Sequence, residues 1–363
     1  MNKRIGAITI VVMLSFCLQS IYAQQTTENQ GYRAWWSEGF GGRPRNNPQA
    51  KKLPLIKVDG NKFVDAEGKT ILFRGLSISD PDKIENQGHW KKKHFETVKE
   101  MGAMIVRIPV HPVAWRERTP RKYLELLDQA VEWCTELEMY VIIDWHTIGN
   151  LKMELFQNPM YNTTQRETFE FWRTIARHFN GHNTVAFYEL FNEPTIYRGQ
   201  LGRMSWTQWR ELNENMIFLI RAYDTETIPL VAGFDWAYDL TPLHIDPVRA
   251  EGIGYVTHPY SNKRRQPWEP KWDEDFGFAA SRYPVVATEF GFGLRKGQEV
   301  KDEDYPKAII RYLEGKGISW MGWVYDPEWY PKMLESWDTY ELTGGGEFFK
   351  KAMHGQIGAG AQP

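Results

Sequence analysis

The chain of 363 residues carries 44 basic and 46 acidic side chains for a formal net charge of −2, a balance that excludes the basic surface of a nucleic-acid binder and gives no hold on an acidic membrane. With 42 % apolar residues and only two cysteines, the protein must be held by a large hydrophobic core, not by disulfides. Sixteen Trp and seventeen Tyr stand out, but aromatic faces both stack on sugars and fill cores, so composition alone favours neither use.

Lys3 and Arg4 precede an apolar stretch from Ile5 to Leu18, and Ser20-Ile21-Tyr22-Ala23 offers a small residue before a polar run. This reads as a secretory signal over residues 1–23, cleaved after Ala23, and makes the protein secreted or periplasmic with no membrane association once the signal is removed. Leu14-Ser15-Phe16-Cys17 has bulky Phe16 where a lipoprotein box needs a small residue, which argues against a lipid anchor. Cys134, the cysteine that remains, lies in a helical pattern and is expected to be a buried thiol. Residues 24–53, rich in Gln, Asn, Gly and Arg around Trp35-Trp36, read as a poorly ordered leader or an arm. One domain is expected over residues 54–355, followed by a short tail over 356–363. Leu55–Val58 and Lys62–Val64 flank Asp59-Gly60-Asn61, a strong hairpin signal, and the hairpin is placed to floor the domain.

From residue 71 a strand-then-helix rhythm begins. The candidate strands are Ile71–Ser77, Met104–Val110, Tyr140–His146, Val185–Glu193, Ile228–Gly233, Ile253–Tyr260, Val285–Phe290 and Ile318–Tyr325. Helical spacing fills the gaps over Arg121–Met139, Thr164–Phe179 and Trp206–Tyr223, whereas Thr241-Pro242-Leu243-His244 makes the helix after strand five weak. Eight such units predict an α/β protein, a (β/α)8 TIM barrel with an N-terminal β-hairpin. A doubly wound open sheet is the alternative, but no Gly-rich phosphate fingerprint follows the first strand.

The carboxyl ends of barrel strands are where catalytic groups sit. Here those ends carry Arg107 within strand two, Asp144-Trp145-His146 on three, Asn192-Glu193-Pro194 on four and His258-Pro259-Tyr260 on six. Strand seven delivers Glu289 before Phe290-Gly291, and strand eight delivers Trp320, Trp323 and Tyr325. In this ordered set the sequence resembles glycoside hydrolase family 5, the cellulase-like retaining barrel glycosidases, over roughly residues 55 to 345. The resemblance implies that Glu193 is the general acid/base and Glu289 the nucleophile. It also implies that Arg107, His146, Asn192, His258, Tyr260 and Trp323 line the subsite of the cleaved sugar. One departure falls at strand one, which ends Arg74-Gly75-Leu76-Ser77 where the family commonly carries Asn in place of Ser77.

The chemistry fits these roles. A retaining glycosidase needs two carboxyl groups about 5–5.5 Å apart, one to attack the anomeric carbon and one to protonate the leaving oxygen. Arg107 and a hydrogen bond from Tyr260 are expected to lower the pKa of Glu289, while the adjacent negative charge keeps a proton on Glu193. Asn192 is placed for a sugar 2-hydroxyl, His258 to fix Glu193, and His146 to contact the sugar. Trp323 is the best sugar platform and Trp236 the candidate on the leaving-group side; Trp329 and His89-Trp90 are weaker ones.

The expected function is therefore a secreted endo-β-1,4-glucanase that acts as a monomer on a β-linked polysaccharide or oligosaccharide, with no cofactor and no metal. Mannan, xyloglucan and mixed-linkage glucan are the alternative substrates on the same scaffold. A non-catalytic sugar-binding barrel would be expected to have lost a carboxylate. A metal-dependent barrel hydrolase would carry His-x-His after strand one, where Gly75-Leu76-Ser77-Ile78 stands.

Overall fold

The computed structural model describes residues 34–37 and 53–357. The expected signal over 1–23 lies outside the described residues, as do the last six residues and most of the expected leader. Residues 34–37 form a unit of their own, a 3-10 turn over Trp35–Ser37 in which the two indoles meet edge-on at 5.4 Å. Among the described residues no helix is long and apolar enough to cross a membrane.

The barrel closes as expected. Its eight strands are Arg74–Ile78, Ile105–Val110, Tyr140–Trp145, Val185–Glu189, Ile228–Ala232, Gly254–Val256, Val285–Phe290 and Ser319–Tyr325. They are numbered one to eight below. Every neighbour pair is parallel, and closure is made by strand eight on strand one, with Met321 opposite Gly75 and Gly322 opposite Leu76. Gly75 is required there, because a Cβ would stand 2.2 Å from the carbonyl oxygen of Ile105. The main helices follow the apolar stripes read from the sequence: Pro120–Glu136, Gln165–Phe179 and Trp206–Arg221. Their starts are fixed locally, by the Thr164 hydroxyl accepting from the Glu167 amide and by a capping box between Ser205 and Gln208. After strand five only the 3-10 turn Thr241–His244 forms, where Pro242 interrupts the pattern.

Two strands end several residues earlier than the sequence predicts, and both differences matter for the site. Strand four leaves the barrel ladder at Glu189, not at Glu193. The chain then follows strand three, with the Asn192 amide donating to Trp145 and the Glu193 amide to Thr147, so Glu193–Pro194 forms a separate two-residue strand on Ile148–Gly149. Strand six ends at Val256, ahead of His258 and Tyr260, because the Thr257 hydroxyl and the His258 amide turn to the carbonyls of Tyr238 and Ala237.

Along each strand alternate residues face inward, which builds the barrel interior in layers. The lower layer is apolar and includes Ile105, Ile142, Phe187, Leu230, Val256 and Val286. The hairpin Lys57–Asp59/Lys62–Val64 closes it from below, since Phe63 meets the Phe187 ring at 4.9 Å and shares that cluster with Ile56 and Phe73. One step up the same strands the inward residues become Arg107, Asp144, Glu189 and Thr288, all fully buried. Much of the tryptophan is structural: Trp145 stacks on Phe171 at 4.0 Å, and the indoles of Trp172 and Trp209 donate to the carbonyls of Leu190 and Ala232 at strand ends. Cys134 is buried, and burial pushes its thiol well above the ordinary range, as expected of an inert packing residue.

Candidate active site

Arg107 organises the upper layer. Its Nε and Nη2 grip the two oxygens of Glu189 at 2.8 and 2.9 Å, the planar fork that a guanidinium makes best. Nη2 also donates to Asn192 Oδ1 at 2.6 Å and lies 2.9 Å from Asp144 Oδ2, while Nη1 donates to Glu289 Oε2 at 3.0 Å. Burial works against the charge of Arg107, but Asp144, Glu189 and Glu289 outweigh it and keep the group protonated. Burial likewise opposes the ionised form of Glu189, yet Arg107 and His258 bring its pKa down to about 2.

The two glutamates at the mouth are held differently. Glu289, inside strand seven, accepts from the Tyr260 hydroxyl at 2.8 Å on Oε1 and from Arg107 on Oε2. Glu193 has His258 Nδ1 at 3.0 Å from Oε1, and His258 Nε2 lies 3.0 Å from the Thr288 hydroxyl, which in turn donates to Glu189 at 3.0 Å. Burial disfavours a charge on His258, but Glu289, the Glu189 carboxylate at 3.6 Å and the hydrogen bond with Glu193 prevail and raise its pKa to about 9. His258 is therefore an imidazolium near neutral pH, with both N–H groups donating. Oxygens of Glu193 and Glu289 and a ring nitrogen of His258 all lie within 4.8 Å of one another. Three such groups have the composition of a small cation site, and a cation there would have to displace the His258 proton.

The lowering of Glu289 expected from the sequence needs correction. Arg107 and the Tyr260 hydrogen bond do pull it down, together with His258. Burial, the largest influence, and the neighbouring Glu193 carboxylate carry the net shift upward.

Around this pair lies a cleft of ≈ 1040 Å³ lined by His111, His146, Tyr161, Trp236, Lys263, Trp323 and Trp329 among others. The chord from strand four to strand seven separates strands five and six from strands eight, one, two and three. On the first side Trp236 stands on three consecutive left-handed residues, with φ of 55°, 56° and 59° at Asp235, Trp236 and Ala237. Its indole donates to Gln157 at 2.9 Å and lies under the Lys263 ammonium at 4.7 Å. On the other side the rings of Trp323 and Trp329 stack at 5.8 Å. His146 lies parallel to Trp323 at 5.4 Å, and its Nδ1 is 2.6 Å from Asp144. Burial first, then His111, Arg107 and His258, keep His146 well below its ordinary pKa, so it is neutral, with Nδ1–H on Asp144 and Nε2 as an acceptor. Asn192 spends its Oδ1 on Arg107, and its buried Nδ2 has no protein partner.

Six of the nine residues singled out from the sequence line this cleft, while Arg107 and His258 bond to Glu289 and Glu193 from behind and Asn192 bonds to Arg107. Trp329 joins them, but His89 and Trp90 do not: His89 stacks on Trp337, and Trp90 packs on Phe95 and Trp133. Ser77 is buried with its hydroxyl unpartnered. Sequence reading missed Glu189, Thr288 and the roles of Asp144 and His111. Glu189 was legible, because a strand with Phe187 facing inward must also turn Glu189 inward.

The chain matches the cellulase family (glycosyl hydrolase family 5) over residues 64–328. It belongs to that family. A β-glucanase of Saccharophagus degradans is 42 % identical, covers 88 % of this chain and 98 % of its own, and superposes with a TM-score of 0.83; the same enzyme has been solved with cellotetraose. The catalytic domain of a Thermobifida fusca endoglucanase, at 21 % identity over 82 % of this chain and 97 % of its own with a TM-score of 0.66, shares the fold. An endoglucanase of Clostridium saccharobutylicum is 26 % identical over 83 % of this chain, and endoglucanase A of Butyrivibrio fibrisolvens 27 % over 73 %. The matches span 65 % and 59 % of the length of those two relatives.

Proposed function

We propose that this family 5 protein is a retaining endo-β-1,4-glucanase that hydrolyses β-glucan by double displacement. The observation that carries the reading is the closeness of Glu193 and Glu289, whose nearest oxygens lie within 4.8 Å. An inverting pair stands about 6.5–9.5 Å apart to admit a water, whereas a retaining pair stands about 5–5.5 Å apart. Glu289, gripped by Arg107 and Tyr260, attacks the anomeric carbon as the bond to the leaving oxygen breaks. Glu193 gives that oxygen its proton. Glu193 then takes a proton from water, the water oxygen bonds to the anomeric carbon, and Glu289 leaves with the β-configuration restored. His258 holds one oxygen of Glu193 in place, and the unpartnered Nδ2 of Asn192 is suited to a sugar 2-hydroxyl.

The β-glucanase at 42 % identity, solved with cellotetraose, supports a β-glucan over mannan as substrate. The breadth of its name keeps mixed-linkage glucan as the second reading. The signal read over residues 1–23 supports export, with residues 54–355 as the catalytic domain. The test is hydrolysis of carboxymethylcellulose and barley glucan by the parent and by Glu289→Ala and Glu193→Ala, with NMR of the first-formed anomer. Loss in both variants and a β-anomer are expected; full activity in either variant, or an α-anomer, rejects the reading.

A further inference from the structure

The loops after strands six and seven do more than wall the cleft. Ser261, Asn262 and Lys263 of the first loop and Gly291, Phe292 and Gly293 of the second face the catalytic pair. Further along the same two loops, Gln266–Pro270 and Asp302–Glu303 line a separate groove of ≈ 640 Å³ with Ala308 and Arg311 of the helix Tyr305–Gly315. The volume lies within the ~300–1,000 Å³ typical of small-ligand clefts.

Its lining includes an indole, Trp268. Trp268 is half-buried: one face is covered by Trp272, parallel within 5° at 5.8 Å, and Tyr305 meets it edge-on at 5.6 Å. Its Nε1 is tied down by the Arg264 carbonyl at 3.0 Å, so the ring cannot swing away. A rigid aromatic face backed by a second ring matches the C–H face of a pyranose. Hydrogen-bonding groups stand around it. Arg311 and Lys307 meet Asp302 at 2.7 and 3.0 Å, and Gln266 ties the loops together through the Glu303 carbonyl at 3.0 Å. With Asp302 paired to Arg311 and the carboxylates of Glu269 and Glu303 also in the lining, the groove suits a neutral polyhydroxylated ligand better than an anionic one.

We propose that this groove is a second saccharide site, which holds a β-glucan chain on the rim without cleaving it. The inference rests on the β-glucan reading above, because continuity along the two loops makes the polymer in the cleft the ligand at hand. Holding the chain at a second point raises its local concentration at the cleft and favours long substrates over short ones.

The test uses affinity electrophoresis of the full chain in barley β-glucan, in a Glu289→Gln background that removes hydrolysis, with and without Trp268→Ala. A second variant, Ala308→Trp, fills the groove from the helix and leaves the Trp268–Trp272 packing alone. Both are expected to weaken retardation about fivefold, the size of one aromatic platform. With Glu289 intact, both are expected to leave kcat/KM on cellotetraose unchanged. Unchanged retardation in Ala308→Trp overturns the groove as a saccharide site while the β-glucan reading stands. If the Glu289→Gln parent is not retarded and the intact enzyme does not cleave the glucan, both readings fall. A shift in oligomeric state by light scattering with retardation unaltered would give the groove to a second copy of the chain, and overturns the proposal as well.

Discussion

Arg107 Nη1 donates to Glu289 Oε2 at 3.0 Å while the rest of the same guanidinium is committed to Glu189, Asn192 and Asp144. A carboxylate of the proposed catalytic pair is thereby tied to the barrel interior through a cation whose Nε and Nη2 are already committed to other buried groups. Arg107→Lys supplies one compact ammonium for a set of acceptors that needs a planar fork. Glu189 would lose its bidentate partner in a fully buried position, at a cost of about 3–5 kcal/mol for a broken buried pair. The variant is expected to unfold at clearly lower denaturant concentration and to lose about a hundredfold or more in kcat/KM on a soluble β-glucan. Near-parent values in both assays would show that the fork is dispensable.

Tyr260 bears on the acid limb of activity. Its hydroxyl pulls the Glu289 pKa down, against burial and Glu193, which push it up. In the proposed mechanism activity requires ionised Glu289, so it is expected to be lost as pH falls through the raised pKa. Tyr260→Phe removes a downward influence, and the acid limb of kcat/KM is expected to move to higher pH, with kcat also reduced. An acid limb that stays in place or moves to lower pH would contradict the assignment of Tyr260 to Glu289.

His258 couples the site to stability. Against burial, its folded-state pKa is raised to about 9 by Glu289, by the nearby Glu189 carboxylate and by its hydrogen bond with Glu193. A histidine with a raised folded value contributes stability in full below its unfolded value of about 6.5 and loses it as pH rises through the folded one. His258→Asn keeps a donor toward Glu193 but carries no charge. Its deficit in unfolding free energy relative to the parent is expected to be larger at about pH 6 than at about pH 10. Urea denaturation at the two pH values measures it, and equal deficits would mean that His258 is neutral in the folded protein.

The barrel was legible because each strand is a short β-prone run and each long helix keeps a clean stripe. So were the strand-end residues, since Asn192, Glu193, His258 and Glu289 sit where parallel strands deliver side chains. Boundaries were less so. The ends of strands four and six are set by long-range backbone bonds, from Glu193 to Thr147 and from His258 to Ala237, which no local pattern encodes. The net pKa direction of Glu289 was illegible for a related reason: burial is a property of the closed barrel, and it outweighs the two partners that sequence could name. Trp90 misled in the opposite sense, because an aromatic in a long loop after strand one carries no mark of whether it meets the cleft or, as here, Phe95 and Trp133.

His111 is the residue at the cleft wall that sequence reading passed over, although it follows strand two as His146 follows strand three. Its Nδ1 is 2.8 Å from Asp80 Oδ2, which also accepts the His111 amide at 2.9 Å, and Tyr123 donates to the other oxygen of Asp80 at 2.7 Å. The ring lies between Tyr161, stacked at 5.8 Å, and the edges of His146 and Trp329. It thus stands on the same side of Glu193 and Glu289 as Trp323, fixed by an aspartate as His146 is fixed by Asp144. Such a group can hold a sugar hydroxyl but has no contact with Glu193 or Glu289. His111→Ala is therefore expected to raise KM for cello-oligosaccharides about three- to tenfold, the worth of one hydrogen bond, with kcat little changed. Asp80→Asn, which keeps the imidazole but loosens its hold, should show a smaller effect in the same direction. A fall in kcat comparable to that of Glu193→Ala would instead place His111 in the proton-transfer machinery.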